Sequence, residues 1–233
     1  MTNDHNGFAI ALDGPVASGK STIALLLAKK LNFLYLDTGA MYRAVTYQAL
    51  KNQVSPRDWE KVTQIARETA LTIKPDQESP LGFRIFIDRD DLTALIHTPA
   101  VNEAVSYVSE IPQVRDLMVE EQRKISLREK IIVAGRDIGT VVLPNAQIKI
   151  FLTASLEERV RRRFLESQEK GLEVSYPQVE ENVKTRDRID SSREVAPLKP
   201  AGDSIILDCT HLKIEEVVLE LEAIIKKKSG GRF

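Results

Sequence analysis

An eight-residue segment near the start of the chain restricts the possible folds more than any other feature. It follows the pattern G-x-x-x-x-G-K-[ST] and reads Gly14-Pro15-Val16-Ala17-Ser18-Gly19-Lys20-Ser21. The apolar run Phe8–Leu12 precedes it, and residues 21–31 carry apolar side chains at helical spacing after it. A strand, a glycine-rich turn and a helix in this order are typical of phosphate-binding loops. The alternative is a plain glycine turn, but both flanking elements are those that the motif requires.

The residue types of this segment explain how it can hold phosphate. Small residues let successive backbone N–H groups point inward, and the helix that begins near Gly19 adds the positive end of its dipole. Lys20 can span the β- and γ-phosphates of ATP, and the Ser21 hydroxyl can bind Mg²⁺. The residues expected to contact the nucleotide are Gly14, Pro15, Val16, Ala17, Ser18, Gly19, Lys20, Ser21 and Thr22.

The rest of the chain continues the alternation of strand and helix. Further apolar runs predict strands at residues 33–36, 131–134, 148–152 and 204–207. Helical patterns follow at residues 38–52, 155–170, 177–188 and 214–227. We therefore expect an α/β fold with a five-stranded parallel sheet flanked by helices. Residues 155–193 should form a helical hairpin around Gly171 that acts as a lid, and Ser229-Gly230-Gly231 should form a frayed tail.

Between residues 71 and 103 this alternation breaks down. Two prolines and a glycine interrupt the segment, and Phe83–Asp88 then alternates between apolar and polar residues. Such alternation predicts a small antiparallel sheet with one solvated face. The sequence thus predicts a core of residues 1–70 and 104–233 with an insert at residues 71–103.

Composition excludes several classes of protein. There are 33 Lys and Arg against 34 Asp and Glu, and the net charge of -1 argues against the broad basic surface of a nucleic-acid binder. No apolar run approaches the length of a membrane span. The single cysteine, Cys209, allows no intrachain disulfide and suits a reducing compartment. We expect a cytoplasmic monomer that binds neither nucleic acid nor membranes.

The histidines and the tryptophan give no signal for a site. His5, His97 and His211 are scattered along the chain, without the spacing of a metal site or a catalytic triad. Trp59 lies in a helical pattern, and we expect it to pack in the core.

Two further motifs follow predicted strands. One reads Asp37-Thr38-Gly39-Ala40-Met41-Tyr42-Arg43, and the other reads Gly135-Arg136-Asp137-Ile138-Gly139-Thr140. Ligands of open α/β sheets bind where parallel strands end, so both motifs should face the phosphate loop. An arginine in each can bind a second phosphate with its planar fork. Alone, Arg43 could equally be a solvated helix charge and Arg136 a partner in a structural ion pair with Asp137.

Arginines are also concentrated in the predicted lid. They are Arg159, Arg161, Arg162, Arg163, Arg186, Arg188 and Arg193. Phosphoryl transfer spreads negative charge over the oxygens of the transferring group, and arginines on a closing lid stabilise that charge and exclude water. Arg159 shares a helix face with Arg162 or Arg163. For any single member, a solvated basic stripe is the simpler interpretation.

Together these residues resemble the bacterial cytidylate kinases, a family of P-loop nucleoside monophosphate kinases. The resemblance runs nearly end to end, and a fourth segment supports it, Arg186-Asp187-Arg188 to Arg193 followed by Ala196-Pro197-Leu198. It implies a Mg²⁺-dependent transfer of the γ-phosphoryl group of ATP to CMP or dCMP. It also implies that the insert at residues 71–103 is a monophosphate-binding unit.

The resemblance also implies roles for individual side chains. Those expected at the substrate are Thr38, Tyr42, Arg43, Ser106, Arg115, Arg136, Asp137, Arg186, Asp190 and Arg193. The phosphate clamp among them is Arg43, Arg136 and Arg193; the cytosine readers are Ser106, Arg115 and Asp137; and the ribose contacts are Arg186 and Asp190. Those expected to act in catalysis are Lys20, Arg136, Arg162 and Arg193.

Two alternatives remain at this point. The chain could phosphorylate another small acceptor, such as UMP or AMP. From a different class, it could be a nucleotide-dependent regulatory switch, but a GTPase of that kind should carry an Asn-Lys-x-Asp tetrapeptide, which the sequence lacks.

Overall fold

The computed structural model describes residues 7–76, 78–127, 130–231 and 233. The described strands are β1 (Ala9–Asp13), β2 (Leu34–Asp37), β3 (Leu71–Pro75), β4 (Phe83–Ile87), β5 (Asp90–Asp91), β6 (Ile131–Gly135), β7 (Ile148–Thr153) and β8 (Ile205–Asp208). The described α-helices are α1 (Lys20–Leu31), α2 (Thr38–Lys51), α3 (Trp59–Glu68), α4 (Pro99–Val108), α5 (Pro112–Ser126), α6 (Leu156–Glu169), α7 (Tyr176–Ser192) and α8 (Ile214–Lys228). His5 lies outside the described residues, so its predicted structural role stays a prediction.

Five strands form a parallel sheet in the order β2-β6-β1-β7-β8, which confirms the predicted five-stranded parallel sheet. The register pairs Asp13 of β1 with Gly135 of β6, and Asp37 of β2 with Ala134. The ends of these three strands therefore lie side by side. Each end continues into one of the three sequence motifs, so the fold brings all three motifs to one edge.

Apolar residues on both faces of the sheet form the core. Ile10 and Leu12 face a cluster that includes residues of α1 and α8, and Ala11 faces a second cluster that includes residues of α2, α3 and α5. Strands that are buried on both faces carry nearly continuous apolar runs, as these do.

A second sheet, β3-β4-β5, is antiparallel and lies within the predicted insert. Phe83, Ile85 and Ile87 are buried on one face of β4, where they pack with Ala40 and Ala44 of α2. The alternation of the sequence thus reflects one face on the core and one in solvent.

The two helices predicted for the lid form a hairpin. Ser155 caps α6 by accepting a hydrogen bond from the Glu158 N–H at 3.2 Å, and α7 begins with a capping box between Ser175 and Gln178. Gly171 between the helices has φ +67°. The second helix extends to Ser192, beyond the predicted end at residue 188.

Two expectations about packing are wrong. Trp59 is the first residue of α3 and is 48% exposed, because the buried face of that helix carries Val62, Ile65 and Ala66. The segment Ser229-Gly230-Gly231 is not frayed, since Ser229 is buried and the Gly231 N–H donates to the Lys226 carbonyl at 2.9 Å. Within the described residues, no helix combines the length and apolar character needed to cross a membrane.

Candidate active site

A cleft of about 940 Å³ opens at the edge where β1, β2 and β6 end. The substrate residues predicted from the sequence all line it: Thr38, Tyr42, Arg43, Ser106, Arg115, Arg136, Asp137, Arg186, Asp190 and Arg193. From the phosphate loop and the start of α1, the lining residues are Val16, Ala17, Gly19, Lys20, Ser21 and Thr22. Segments that are far apart in the sequence therefore meet around one space.

The remaining loop residues, Gly14, Pro15 and Ser18, shape the loop from behind the cleft surface. Gly14 adopts φ +150°, and a Cβ there would lie 2.0 Å from the Leu152 carbonyl oxygen of β7. Only glycine can occupy this position without displacing the strand. The loop is therefore tightly fitted to the sheet beneath it.

Lys20 is a buried cation at the centre of the loop. Its Nζ donates hydrogen bonds to the Pro15 carbonyl oxygen at 2.6 Å and to Ser18 Oγ at 3.2 Å. Burial, and then the positive charge of Arg136, lower the pKa of Lys20 well below its usual value. An anion bound in the cleft would thus stabilise the charged form of Lys20.

Ser21 and Asp37 place two oxygen ligands beside the loop. The Ser21 hydroxyl donates to Asp37 Oδ2 at 2.9 Å, and Asp37 also caps α2 by accepting from the Gly39 N–H at 2.9 Å. No group of three or more His, Cys, Asp or Glu side chains that could hold a metal ion occurs in the part of the chain that the structure describes. A hydroxyl and a single carboxylate fit Mg²⁺, which commonly completes its coordination with phosphate oxygens and water.

Asp13, at the end of β1, fixes the loop that follows β6. Its two carboxylate oxygens accept from the Ile138 and Gly139 N–H groups, each at 2.7 Å. Burial raises the pKa of Asp13 to about 6, although the two hydrogen bonds act to lower it. This carboxylate therefore fixes the position of the segment that carries Arg136 and Asp137.

A group of arginines faces the phosphate loop across the cleft. Arg43 Nη1 donates to Asn102 Oδ1 at 2.5 Å, and the Asn102 side chain donates to the His97 carbonyl at 2.8 Å. Burial, together with the nearby positive charges of Arg163 and Arg136, lowers the pKa of Arg43 to about 10. Asn102 of α4 therefore holds an arginine of α2 in the cleft.

Two of these arginines share Asp190 of α7. Arg136 Nε donates to Asp190 Oδ2 at 2.7 Å, and Arg193 pairs with the other carboxylate oxygen. Arg193 also donates to Ser109 Oγ at 2.9 Å. This buried carboxylate links the β6 loop to the end of the lid.

Arg186 differs from its neighbours because its charge is poorly compensated. It is buried, and its Nε has no hydrogen-bond partner among the described residues. Burial, and then the positive charges of Arg43 and Arg136, lower the pKa of Arg186 to about 9. Several cations are thus buried together, and Arg186 has no anionic hydrogen-bond partner in the part of the chain that the structure describes, which favours a bound anion.

Hydrogen-bonding groups continue the cleft beyond the arginines. The Arg115 guanidinium forms a buried ion pair with Asp137, donates to the Ser109 carbonyl at 3.1 Å and lies 5.6 Å from the centre of the Tyr42 ring. Ser106 is buried in the same region and lines the cleft. A donor fork, a carboxylate and a hydroxyl can together recognise the edge of a nucleobase.

The structure separates Arg162, which we expected to act in catalysis, from its neighbour Arg163. Arg163 lines the cleft and donates to Glu166 at 2.7 Å. Arg162 does not line it, and its guanidinium donates to Glu158 at 2.8 Å and to the Cys209 carbonyl at 2.7 Å. Adjacent helix residues point about 100° apart, so only the packing of α6 decides which one faces the cleft.

Three contributors to the site were not predicted. Asn102, Ser109 and Glu166 contact cleft arginines through side chains that no motif contains. Their roles follow from contacts between segments that are distant in the sequence or from the orientation of α6. A pattern within one segment could not have revealed them.

Comparison with known proteins agrees with this geometry. The family model described as cytidylate kinase matches residues 10–227. A cytidylate kinase of Carboxydothermus hydrogenoformans is 51% identical over 94% of this chain and 98% of its own length, and one of Enterococcus faecalis is 47% identical over 97% and 98%. A solved structure of an uncharacterized protein from Eubacterium ventriosum has a TM-score of 0.53 over 94% of this chain and 98% of that one. At 11% identity, the last likeness shows the fold alone.

The phosphate loop, the motifs after β2 and β6, Arg186 of α7 and Arg193 just after it thus lie in one cleft, as the sequence resemblance implied. With a family model that spans nearly the whole chain, they show that this protein belongs to the cytidylate kinase family.

Proposed function

We propose that this protein transfers the γ-phosphoryl group of ATP to CMP or dCMP, giving ADP and CDP or dCDP. The observation that carries the proposal is the shared cleft, in which the phosphate loop faces a buried arginine group and a pocket with base-recognising side chains. Two nucleotides can bind there with their phosphates toward one another. Family membership supports the same reaction.

On the donor side, the loop would bind the phosphates of ATP. Backbone N–H groups and the N-terminus of α1 supply positive potential without mobile side chains. Lys20 would exchange its bonds to Pro15 and Ser18 for bonds to the β- and γ-phosphates. Mg²⁺, held by Ser21 and Asp37, would neutralise charge on the donor phosphates.

On the acceptor side, Arg43, Arg136 and Arg193 would hold the CMP phosphate. Arg186 and Asp190, on one face of α7, would contact the ribose. Arginine is suited to this task because its planar fork binds two phosphate oxygens at once. The insert at residues 71–103 would close the acceptor side of the cleft, to which it contributes lining residues.

The pocket beyond the arginines would select cytosine. Arg115 would donate to the ring O2 and N3, while Asp137 and Ser106 would accept from the exocyclic amine. In uracil, N3 carries a proton and O4 replaces the amine. The Arg115 N–H groups would then face the N3–H, and the oxygen atoms of Asp137 and Ser106 would face O4. Buried polar groups left unpaired in this way strongly disfavour the wrong base.

Catalysis would consist of positioning and charge neutralisation, without a covalent intermediate. Lys20, Arg136 and Arg193 line the cleft where the two phosphates would meet. Arg162 stays a prediction, since it would first have to release Glu158 and the Cys209 carbonyl. The lid, residues 155–193, would close over the ligands to exclude water.

An acceptor comparison tests the proposal. The rate of ADP formation from ATP and Mg²⁺ is measured with CMP, dCMP, UMP and AMP in turn. We expect kcat/KM for CMP or dCMP to exceed that for UMP and AMP by about 100-fold or more, because of the unpaired polar groups. Equal or better use of AMP or UMP would overturn the cytosine assignment, and acceptor-independent ATP hydrolysis would favour a regulatory switch.

A variant sharpens this comparison. Ser106→Ala removes one acceptor of the exocyclic amine and should narrow the preference for CMP over UMP. The matched control is Lys184→Gln, on the exposed face of α7, where Lys184 pairs with Glu180. If Ser106→Ala prefers CMP over UMP as strongly as the control does, Ser106 does not recognise the base.

We also propose that the protein acts as a cytoplasmic monomer on small nucleotides, without nucleic acid or membrane partners. The single cysteine, buried as a free thiol, supports a reducing compartment. Light scattering on a size-exclusion column tests the oligomeric state, and a mass near 52 kDa, twice the 26.2 kDa of the chain, would contradict a monomer.

A further inference from the structure

Val16 of the phosphate loop is held by the two lid helices as well as by the loop itself. Its carbonyl oxygen accepts from Arg159 Nη1 of α6 at 3.1 Å, and its N–H donates to Asp187 Oδ1 of α7 at 3.4 Å. Its side chain packs in a buried cluster with Val160, Val179 and Val183 of the same two helices. A single loop residue is thus fixed through its N–H, its carbonyl and its side chain.

The two charged partners are fixed to each other. Arg159 Nη1 donates to Asp187 Oδ2 at 2.6 Å, and Arg159 Nε donates to the Ala154 carbonyl at 3.1 Å. Arg159 is buried, with 7% of its surface exposed. Val16, Arg159 and Asp187 therefore form a closed ring of hydrogen bonds, which we name the loop clamp.

The two charged residues of the loop clamp lie behind the cleft surface, although Val16 itself lines the cleft. Neither Arg159 nor Asp187 lines the cleft, whereas Arg186 and Asp190 of the same helix do. Asp187 and Asp190 are one turn apart, so α7 contacts the phosphate loop at one point and the acceptor arginines at the next. One rigid helix thereby joins the two halves of the site.

We propose that Asp187, together with Arg159, is a positioning residue for the donor site: the pair fixes Val16 so that the loop N–H groups converge on the ATP phosphates. This inference deepens the proposed function, since it rests on ATP as the donor. An oriented backbone N–H group is worth most when it needs no rearrangement on binding. The lid helices therefore shape the donor site in addition to covering it.

The test uses the full chain and two variants at Asp187. Asp187→Ala removes both bonds of the carboxylate, while Asp187→Asn keeps a similar size and one acceptor for the Val16 N–H. The affinity for the non-hydrolysable analogue AMP-PNP with Mg²⁺ and the affinity for CMP are measured separately by calorimetry. Amide hydrogen exchange of residues 16–20 is measured without nucleotide.

We expect Asp187→Ala to weaken AMP-PNP binding about tenfold and to speed exchange of the loop amides, while CMP affinity changes by less than about twofold. Asp187→Asn should have a smaller effect in the same direction and carries the test if the alanine variant does not fold. Lys184→Gln, on the exposed face of the same helix, should match the wild type.

Two results would overturn the inference. One is AMP-PNP affinity and loop exchange equal to those of the wild type. The other is an equal loss of AMP-PNP and CMP affinity, because displacement of α7 as a whole would also move Arg186 and Asp190. A wild-type protein that binds AMP-PNP but does not phosphorylate CMP would refute the proposed function and leave the loop clamp standing.

Discussion

The donor and acceptor halves of the cleft hold their charged groups in opposite ways. In the donor half, Lys20 and Ser21 have hydrogen-bond partners in or next to the loop. In the acceptor half, burial and then the positive charges of neighbouring arginines lower the pKa of both Arg43 and Arg186. The donor loop pairs its one cation with uncharged oxygen atoms of the loop, whereas the acceptor wall carries several cations close together.

This difference indicates how ligand binding would change the free energy of each half. A loop whose groups are already paired and oriented reorganises little when phosphate binds. Buried cations without enough anions cost stability in the free protein, and a bound phosphate would recover that cost. The donor half is thus oriented before binding by hydrogen bonds within and around the loop, and the acceptor half would be completed by its substrate.

The largest expected effect would test the donor half. Lys20→Met removes the charge that spans the donor phosphates and should lower kcat by about 100- to 1000-fold, as loss of one transition-state donor does. Steady-state kinetics with saturating ATP and CMP measure this effect. Lys29→Met, exposed on the same helix, is the matched control. A kcat within tenfold of the control would show that the backbone of the loop suffices without the lysine.

A second, smaller effect would test the acceptor half. Arg186→Met removes a buried charge, so we expect the free energy of unfolding to rise by about 2 kcal/mol while CMP affinity falls about tenfold. Urea unfolding and calorimetry measure the two changes. Lys184→Met serves as the control. A variant that is less stable than the control would mean that Arg186 is compensated in the free protein, and the contrast between the halves would fail.

The smallest effect concerns Asp13, which joins the halves. Because burial raises its pKa to about 6, the folded protein binds this proton more tightly than the unfolded chain, whose carboxyl titrates near 3.8. The stabilisation of the folded protein by this proton is fully present below pH 3.8 and is lost as the pH rises through about 6. Between about pH 5 and pH 7 the wild type should lose about 1 kcal/mol relative to Asp13→Asn. Urea unfolding across this pH range measures the difference in stability. If the free energy of unfolding changes equally with pH in the wild type and in Asp13→Asn, the pKa of Asp13 is not raised.

The five strands and the phosphate loop were predictable because each is encoded within a short stretch. The run Ile131–Val133, for example, is buried on both faces of the sheet and carries its signal in consecutive residues. The residues after β2 and β6 were also placed at the cleft, because parallel strands end at one edge.

Contacts between distant segments were not predictable in the same way. The bond from Asp13 to the Ile138 N–H spans 125 positions, and the clamp of Val16 by Asp187 spans 171. Among the lid arginines we selected Arg162 for catalysis, whereas its neighbour Arg163 lines the cleft. We also placed Trp59 in the core, although the packed face of α3 begins later. In each case tertiary packing selects among side chains that local patterns treat alike.

The strand order β2-β6-β1-β7-β8 has a consequence for how the chain reaches its fold. Strand β6 lies between β1 and β2, so neither of the first two strands has a neighbour in the sheet until residue 131 and those after it have been synthesised. Every ladder of the main sheet then closes a long loop, which slows folding through the entropy that closure costs. In a ribosome-bound chain that ends before β6, the phosphate-loop residues should therefore not yet be folded, because β1 has no neighbouring strand in the main sheet.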